Sequence, residues 1–137
     1  MARKKWKEPK HKLNGTVYVL RMELESRIVF KVGATSRSAK IRCQEILGEI
    51  YDCYGYFPKT TIVKQQTCKN YYKVEAAIHA RLKSKQYRLK AEFSGSSEIF
   101  EVGIGELEHV YIDEINKDYP VQTKATNKQQ ITAYNGL

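Results

Sequence analysis

The chain is poor in several features that would settle its class at once. It has three cysteines, at positions 43, 53 and 68 of 137 residues. That is too few and too uneven for a disulfide framework, so a reducing, intracellular setting is expected. There is neither a close CxxC pair nor an HxxxH pair, so Cys53, Cys68 and His79 are not expected to form a structural zinc site. No apolar run approaches the roughly 20 residues a membrane-spanning helix needs. The start, Met-Ala-Arg-Lys-Lys-Trp-Lys, has no apolar stretch behind it, and no secretory leader is expected. There are no internal repeats. What remains, with 42% apolar and 28% charged residues, is an ordinary globular composition at the size of one domain.

Acidic residues are also scarce in places. The formal net charge is +9, spread unevenly. Residues 1–12 carry +5, residues 13–58 +1, residues 59–90 +8, residues 91–118 −7 and residues 119–137 +2. A basic arm plus a basic middle segment points to a polyanion partner, most often nucleic acid. Within residues 59–90 there is a single acid, Glu75. The acidic stretch 91–118 reads as a solvated helix that either faces the basic segment within the chain or forms a dimer contact.

Local pattern divides the chain into a basic arm (1–13), a folded domain (14–118) and a polar tail (119–137). Gly15 to Arg21 and Ile28 to Val32 are rich in β-branched and aromatic residues and read as two strands, with Met22 to Arg27 as the hairpin loop. Pairing positions that sum to 49 sets Val17 opposite Val32 and Tyr18 opposite Lys31, which keeps like with like on each face. Residues 38–54 read as a helix. Its stripe is Cys43, Ile46, Leu47, Ile50, Tyr51 and Tyr54, with Arg42 on the border. Thr60 to Gln65 is a third strand. Residues 71–85 form a second helix, with Tyr71, Val74, Ile78 and Leu82 inward, Glu75 on the inner side and His79 one turn on. Gly95 to Val102 is a fourth strand. Residues 104–117 form a last, acidic helix carrying Ile104, Leu107, Tyr111 and Ile115.

Five short stretches in order resemble the GIY-YIG nuclease superfamily. They are Gly15-Thr-Val-Tyr18-Val-Leu, Phe30-Lys31-Val32-Gly33, Arg42, Val74-Glu75-Ala-Ala-Ile-His79, and Glu98-Ile99-Phe100. The last two are similar to a phage-type branch with a Glu-x-x-x-His helix and a Glu-Trp-Phe-like strand. The resemblance spans roughly residues 15–102. It implies an α/β (α+β) fold, with a three- to four-stranded, mainly antiparallel sheet flanked by helices. It also implies a phage-encoded, metal-dependent endonuclease acting on DNA, in the cytoplasm of a bacterial host, with Mg²⁺ or Mn²⁺ as cofactor. The alternative is a protein of this fold that grips nucleic acid and cleaves it weakly or not at all.

Carried over by position, the catalytic set is Tyr18, Lys31, Arg42, Glu75 and His79, with Glu75 as metal ligand. The types suit the chemistry. A carboxylate holds a hard cation. A guanidinium binds two phosphate oxygens, and a phenol deprotonates or orients water. Where the superfamily has a second tyrosine this chain has Lys31. It is expected to lower the Tyr18 pKa, by at most roughly three units for a cation at ~4 Å, or to bind phosphate. The late asparagine of the superfamily has no clear counterpart.

Taken singly, these residues have blander readings. Tyr18 is one of ten tyrosines. Arg42 alone is a helix-border residue. An inward Glu75 needs either a salt bridge or a metal. His79 is a partner of Glu75, a general base or a core histidine, and Glu98 is structural. Lys4, Lys5, Arg37, Lys40, Lys73, Arg81, Lys83 and Lys85 are the expected nucleic-acid contacts. No membrane partner is expected. A homodimer is left open, because a one-site enzyme that cuts both strands must pair up or act twice. If about six phosphates are neutralised, log K for DNA falls against log salt with a slope near −5. A titration from 50 to 200 mM salt checks this, and a flat response excludes a backbone-tracking surface.

Overall fold

A computed structural model describes residues 14–93 and 95–118. The arm at 1–13, with Lys4 and Lys5, and the tail at 119–137 lie outside the described residues. The elements are β1 (Gly15–Leu24), β2 (Arg27–Thr35), α1 (Ala39–Tyr54), β3 (Thr60–Cys68), α2 (Tyr71–Arg81), β4 (Ile99–Phe100) and α3 (Ile104–Lys117). Two short 3₁₀ turns, Lys83–Lys85 and Ser96–Glu98, flank the segment between α2 and β4. The four strands form one antiparallel sheet in the order β3-β1-β2-β4. The α+β class follows.

β1 is central and apolar on both sides, as a strand covered by helices on both faces must be. Val17 and Val19, with Phe30 and Val32 of β2, pack against α2 and α3 through Tyr71, Val74, Ile78, Leu107, Val110 and Tyr111. Tyr18, Leu20 and Met22, with Val29 of β2, pack on the other face against Ala39, Cys43, Ile46 and Ile50 of α1. Tyr111 ties α3 to the sheet by donating its hydroxyl to the Val17 carbonyl at 2.7 Å.

The hairpin is tighter than its sequence suggests. Glu25 (φ 55°) and Ser26 (φ 62°) form a two-residue turn with both central residues left-handed, a geometry usually signalled by Asn-Gly or Asp-Gly. The Glu25 carboxylate anchors it by accepting from Tyr54 Oη (2.5 Å), Tyr87 Oη (2.9 Å) and the Lys90 amide (2.7 Å). With Leu24 opposite Arg27, partners sum to 51 rather than 49: Val17 faces Ala34 and Tyr18 faces Gly33. A shift of two preserves the faces, so Tyr18 and Lys31 still share one side.

Other boundaries move for tertiary reasons. β3 runs on to Cys68 because it pairs along β1 as far as Gly15. α2 stops at Arg81 because the chain must turn to set Gln86 against Phe100 and to let Tyr87 N–H donate to the Ile99 carbonyl. β4 is cut to two residues by the Ser96–Glu98 turn. Tyr51 and Ile104 are exposed, not in the core; Tyr51 stacks on Phe57 at 4.6 Å.

Gly33 is required by packing. A Cβ there would overlap the hydroxyl and Cζ of Tyr18. Gly33→Ala is expected to cost about 1–3 kcal/mol by overpacking, and less in a Tyr18→Leu background, because the two sites share one space. Urea midpoints of the four proteins test this; strictly additive effects contradict it.

Candidate active site

The site grows from a gap in the sheet. β4 pairs only with Phe30 and Lys31, so the rest of the outer edge of β2 has no strand partner among the described residues. Exposed edge groups must find other partners, and α2 supplies them. His79 Nε2–H donates to the Val32 carbonyl at 2.7 Å, and the Glu75 carboxylate accepts from the Ala34 amide. The i,i+4 spacing on α2 puts both side chains along that edge, with Glu75 Oε2 3.8 Å from His79 Nε2. Because Nε2 carries the donated proton, a neutral His79 ring has its lone pair on Nδ1.

The turn before β4 brings in Glu98. Its carboxylate takes the ammonium of Lys31, a side chain only 1% exposed at the middle of β2. Potential ligand atoms of Glu75, His79 and Glu98 all lie within 4.8 Å of one another. Burial first, then the neighbouring Glu98 charge, pushes the Glu75 pKa up to about 7; Lys31 and the Ala34 amide work against this.

Tyr18 and Arg42 complete the groove. Ser38 caps α1 by accepting from the Ile41 amide at 3.1 Å, which places Arg42 in the opening turns, over the sheet. Arg42 hydrogen-bonds the Tyr18 phenol and also donates to Glu45 at 3.0 Å. The Lys31 ammonium lies 6.0 Å from the centre of the Tyr18 ring. The expected lowering of the Tyr18 pKa by Lys31 does not occur. Burial, with Glu98 and Glu75, drives it upward, and the cation that opposes this is Arg42. Lys31 is spent on Glu98 instead.

Tyr18, Lys31, Arg42, Glu75 and His79 are therefore brought to one place. Glu98, read from sequence as a structural strand residue, belongs there too. The signal that could have found it is the need of a buried Lys31 for a counter-charge.

The expected nucleic-acid contacts divide. Arg37 forms a two-point pair with Glu45 (2.6 and 2.7 Å), and Glu45, held also by Arg42, has its pKa lowered to about 2. Arg81 is held by Asp113 (2.6 Å) and Glu114 (2.9 Å), and Lys85 by Glu106 (3.7 Å). The acidic helix α3 thus faces the basic segment within the chain. Lys40, Lys73 and Lys83 stay exposed. Lys83 and Arg88 line a polar cleft of about 360 Å³ with Gln86, Ser96 and Ser97, beside the turn that carries Glu98.

A small α+β sheet with a carboxylate–histidine cluster at an open strand edge is the class of protein these features define. Residues 15–115 match the family model described as the T5orf172 domain, and the chain belongs to that family. The domain is phage-associated and occurs in nuclease contexts. No curated protein and no solved structure matches the chain. Among the described residues no helix is long and apolar enough to cross a membrane.

Glu75 makes stability depend on pH. Its folded pKa of about 7 lies above the ordinary 4.5. The folded chain therefore holds a proton that the unfolded chain has already lost, and stability falls as pH rises from about 4.5 through about 7. The full effect is at most about 3 kcal/mol. Glu75→Gln keeps an acceptor for the Ala34 amide and is expected to exceed the wild type in stability at pH 8 but not at pH 4. Thermal melts across that range test it; equal pH profiles reject it.

Proposed function

We propose that this chain is a metal-dependent endonuclease that hydrolyses phosphodiester bonds in DNA. The observation that carries the reading is the convergence of Glu75, His79 and Glu98 within 4.8 Å, beside Tyr18 and Arg42. The donor set suits a hard divalent cation such as Mg²⁺ or Mn²⁺: two carboxylates, without a thiolate, with the His79 ring beside them left to act on water. Glu75 and Glu98 raise each other's energy when both are ionised, and a cation between them relieves it. Bound there, Mg²⁺ would supply Lewis-acid polarisation of the phosphodiester.

The protein's own groups do the rest. Arg42 turns from Glu45 to the non-bridging oxygens of the phosphate. Tyr18, kept protonated near neutral pH by its raised pKa, orients the phosphate through its O–H rather than acting as base. His79, its Nε2–H fixed on the Val32 carbonyl, accepts the proton of the attacking water at Nδ1; as the new P–O bond forms, the P–O bond to the leaving oxygen breaks and that oxygen takes a proton from solvent. Exposed Lys40, Lys73 and Lys83 take backbone phosphates on either side. The setting that fits is the cytoplasm of a bacterial host.

A second reading is supported by two observations. Lys31 is held by Glu98, and the Tyr18 phenol is far from its phenolate form, as suits a fold that binds nucleic acid without cutting it. Supercoiled plasmid separates the two. The endonuclease nicks it only with Mg²⁺ or Mn²⁺, and Glu75→Ala lowers the rate by at least about 10²-fold while DNA binding persists. Retained binding with no cleavage in either metal selects the binding protein.

A further inference from the structure

We propose that Lys31 and a divalent cation are alternative occupants of the Glu98 carboxylate, so that Lys31 passes to the DNA phosphate only when metal takes Glu98. This rests on the metal-site reading of Glu75 given above. It goes further by making Lys31 the internal placeholder at the Glu98 carboxylate and a phosphate ligand once metal displaces it.

The argument starts from burial. A lysine 1% exposed at the middle of a sheet cannot keep its charge without a counter-ion. Glu98 is that counter-ion, and the Lys31 charge also favours the ionised form of Glu75. Lys31 therefore already does electrostatically what a divalent cation would do among Glu75, His79 and Glu98. Two cations cannot share a cluster whose ligand atoms lie within 4.8 Å without strong repulsion. One must leave Glu98 when the other arrives.

The local backbone allows the exchange. Glu98 sits on the Ser96–Glu98 turn, not inside a strand, and is 30% exposed. Gly95 precedes it in the left-handed region (φ 83°). A Cβ there would lie 3.0 Å from Lys31 Nζ and 3.6 Å from Glu98 Oε1, so the glycine lets the chain close over the pair. Once released, the Lys31 ammonium is still beside the Tyr18 ring, in the groove where Arg42 waits. A buried ammonium without a partner seeks another anion, and the phosphodiester is the anion this groove would take. Metal and DNA should then bind with positive coupling, each strengthening the other by the same factor.

The test is Mn²⁺ binding to the full chain, followed by electron paramagnetic resonance. The wild type is compared with Lys31→Met, Glu98→Gln and the double variant. Lys31→Met should tighten Mn²⁺ about tenfold when Glu98 is present and have little effect when it is Gln. Independently, the ¹⁵N resonance of the Lys31 ammonium in the wild-type protein should shift when Mg²⁺ saturates the site; this arm stands even if Lys31→Met fails to fold. Equal tightening in both backgrounds means through-space repulsion alone and overturns the exchange. So does an unmoved Lys31 resonance in Mg²⁺-saturated protein. If Mn²⁺ binds and needs Glu75 but ignores the Lys31–Glu98 cycle, only this inference falls. If no variant and no wild-type protein binds Mn²⁺, the metal reading falls with it.

Discussion

The arrangement depends on an unfinished strand edge. β4 covers only two residues of β2, and the backbone groups beyond it need partners away from bulk water. Side chains of α2 provide them. Glu75 and His79 are held by main-chain atoms of β2, at positions set by the i,i+4 geometry of a helix packed through Val74 and Ile78. Side chains fixed in this way lose little freedom on binding a ligand. The contacts that satisfy the strand edge are the same contacts that hold the candidate site in one geometry.

Charge is managed in the same economical way. The sheet contains one fully buried ammonium, and the turn before β4 delivers its carboxylate. Removing either member would leave an uncompensated charge, which is costlier than the pair itself. On the outside, α3 draws Arg81 and Lys85 into ion pairs, and Glu45 draws in Arg37 and Arg42. Apart from the pair of Arg81 with the buried Glu114 carboxylate, these are exposed pairs, which contribute little to stability. Their larger effect is to decide which basic side chains are left outside ion pairs on the surface.

Much of the fold is legible in the sequence. The apolar spacing of α1 and α2, the β-branched and aromatic content of β1 and β2, and the ends of α3 are all local signals, and the elements they indicate are present, with α2 ending four residues earlier than its spacing suggests. The lone acid of the basic segment, Glu75, stood out by composition alone. Tyr18 and Lys31 could be placed on one face, because a two-residue error in register does not alter which way side chains point.

What only the tertiary structure decided has a common cause: it depends on partners distant in sequence. The hairpin turn at Glu25 and Ser26 is held by Tyr54, Tyr87 and Lys90, none of them local. The shortness of β4 comes from the turn that precedes it, and the role of Glu98 comes from Lys31, sixty-seven positions away. The protonation of Tyr18 is set by burial, which no one-dimensional pattern measures and which outweighs the cations around it. The sequence determined the elements, the faces and the chemical types. Three-dimensional packing determined which charges meet, because an ion pair is specified by distance and desolvation rather than by spacing along the chain.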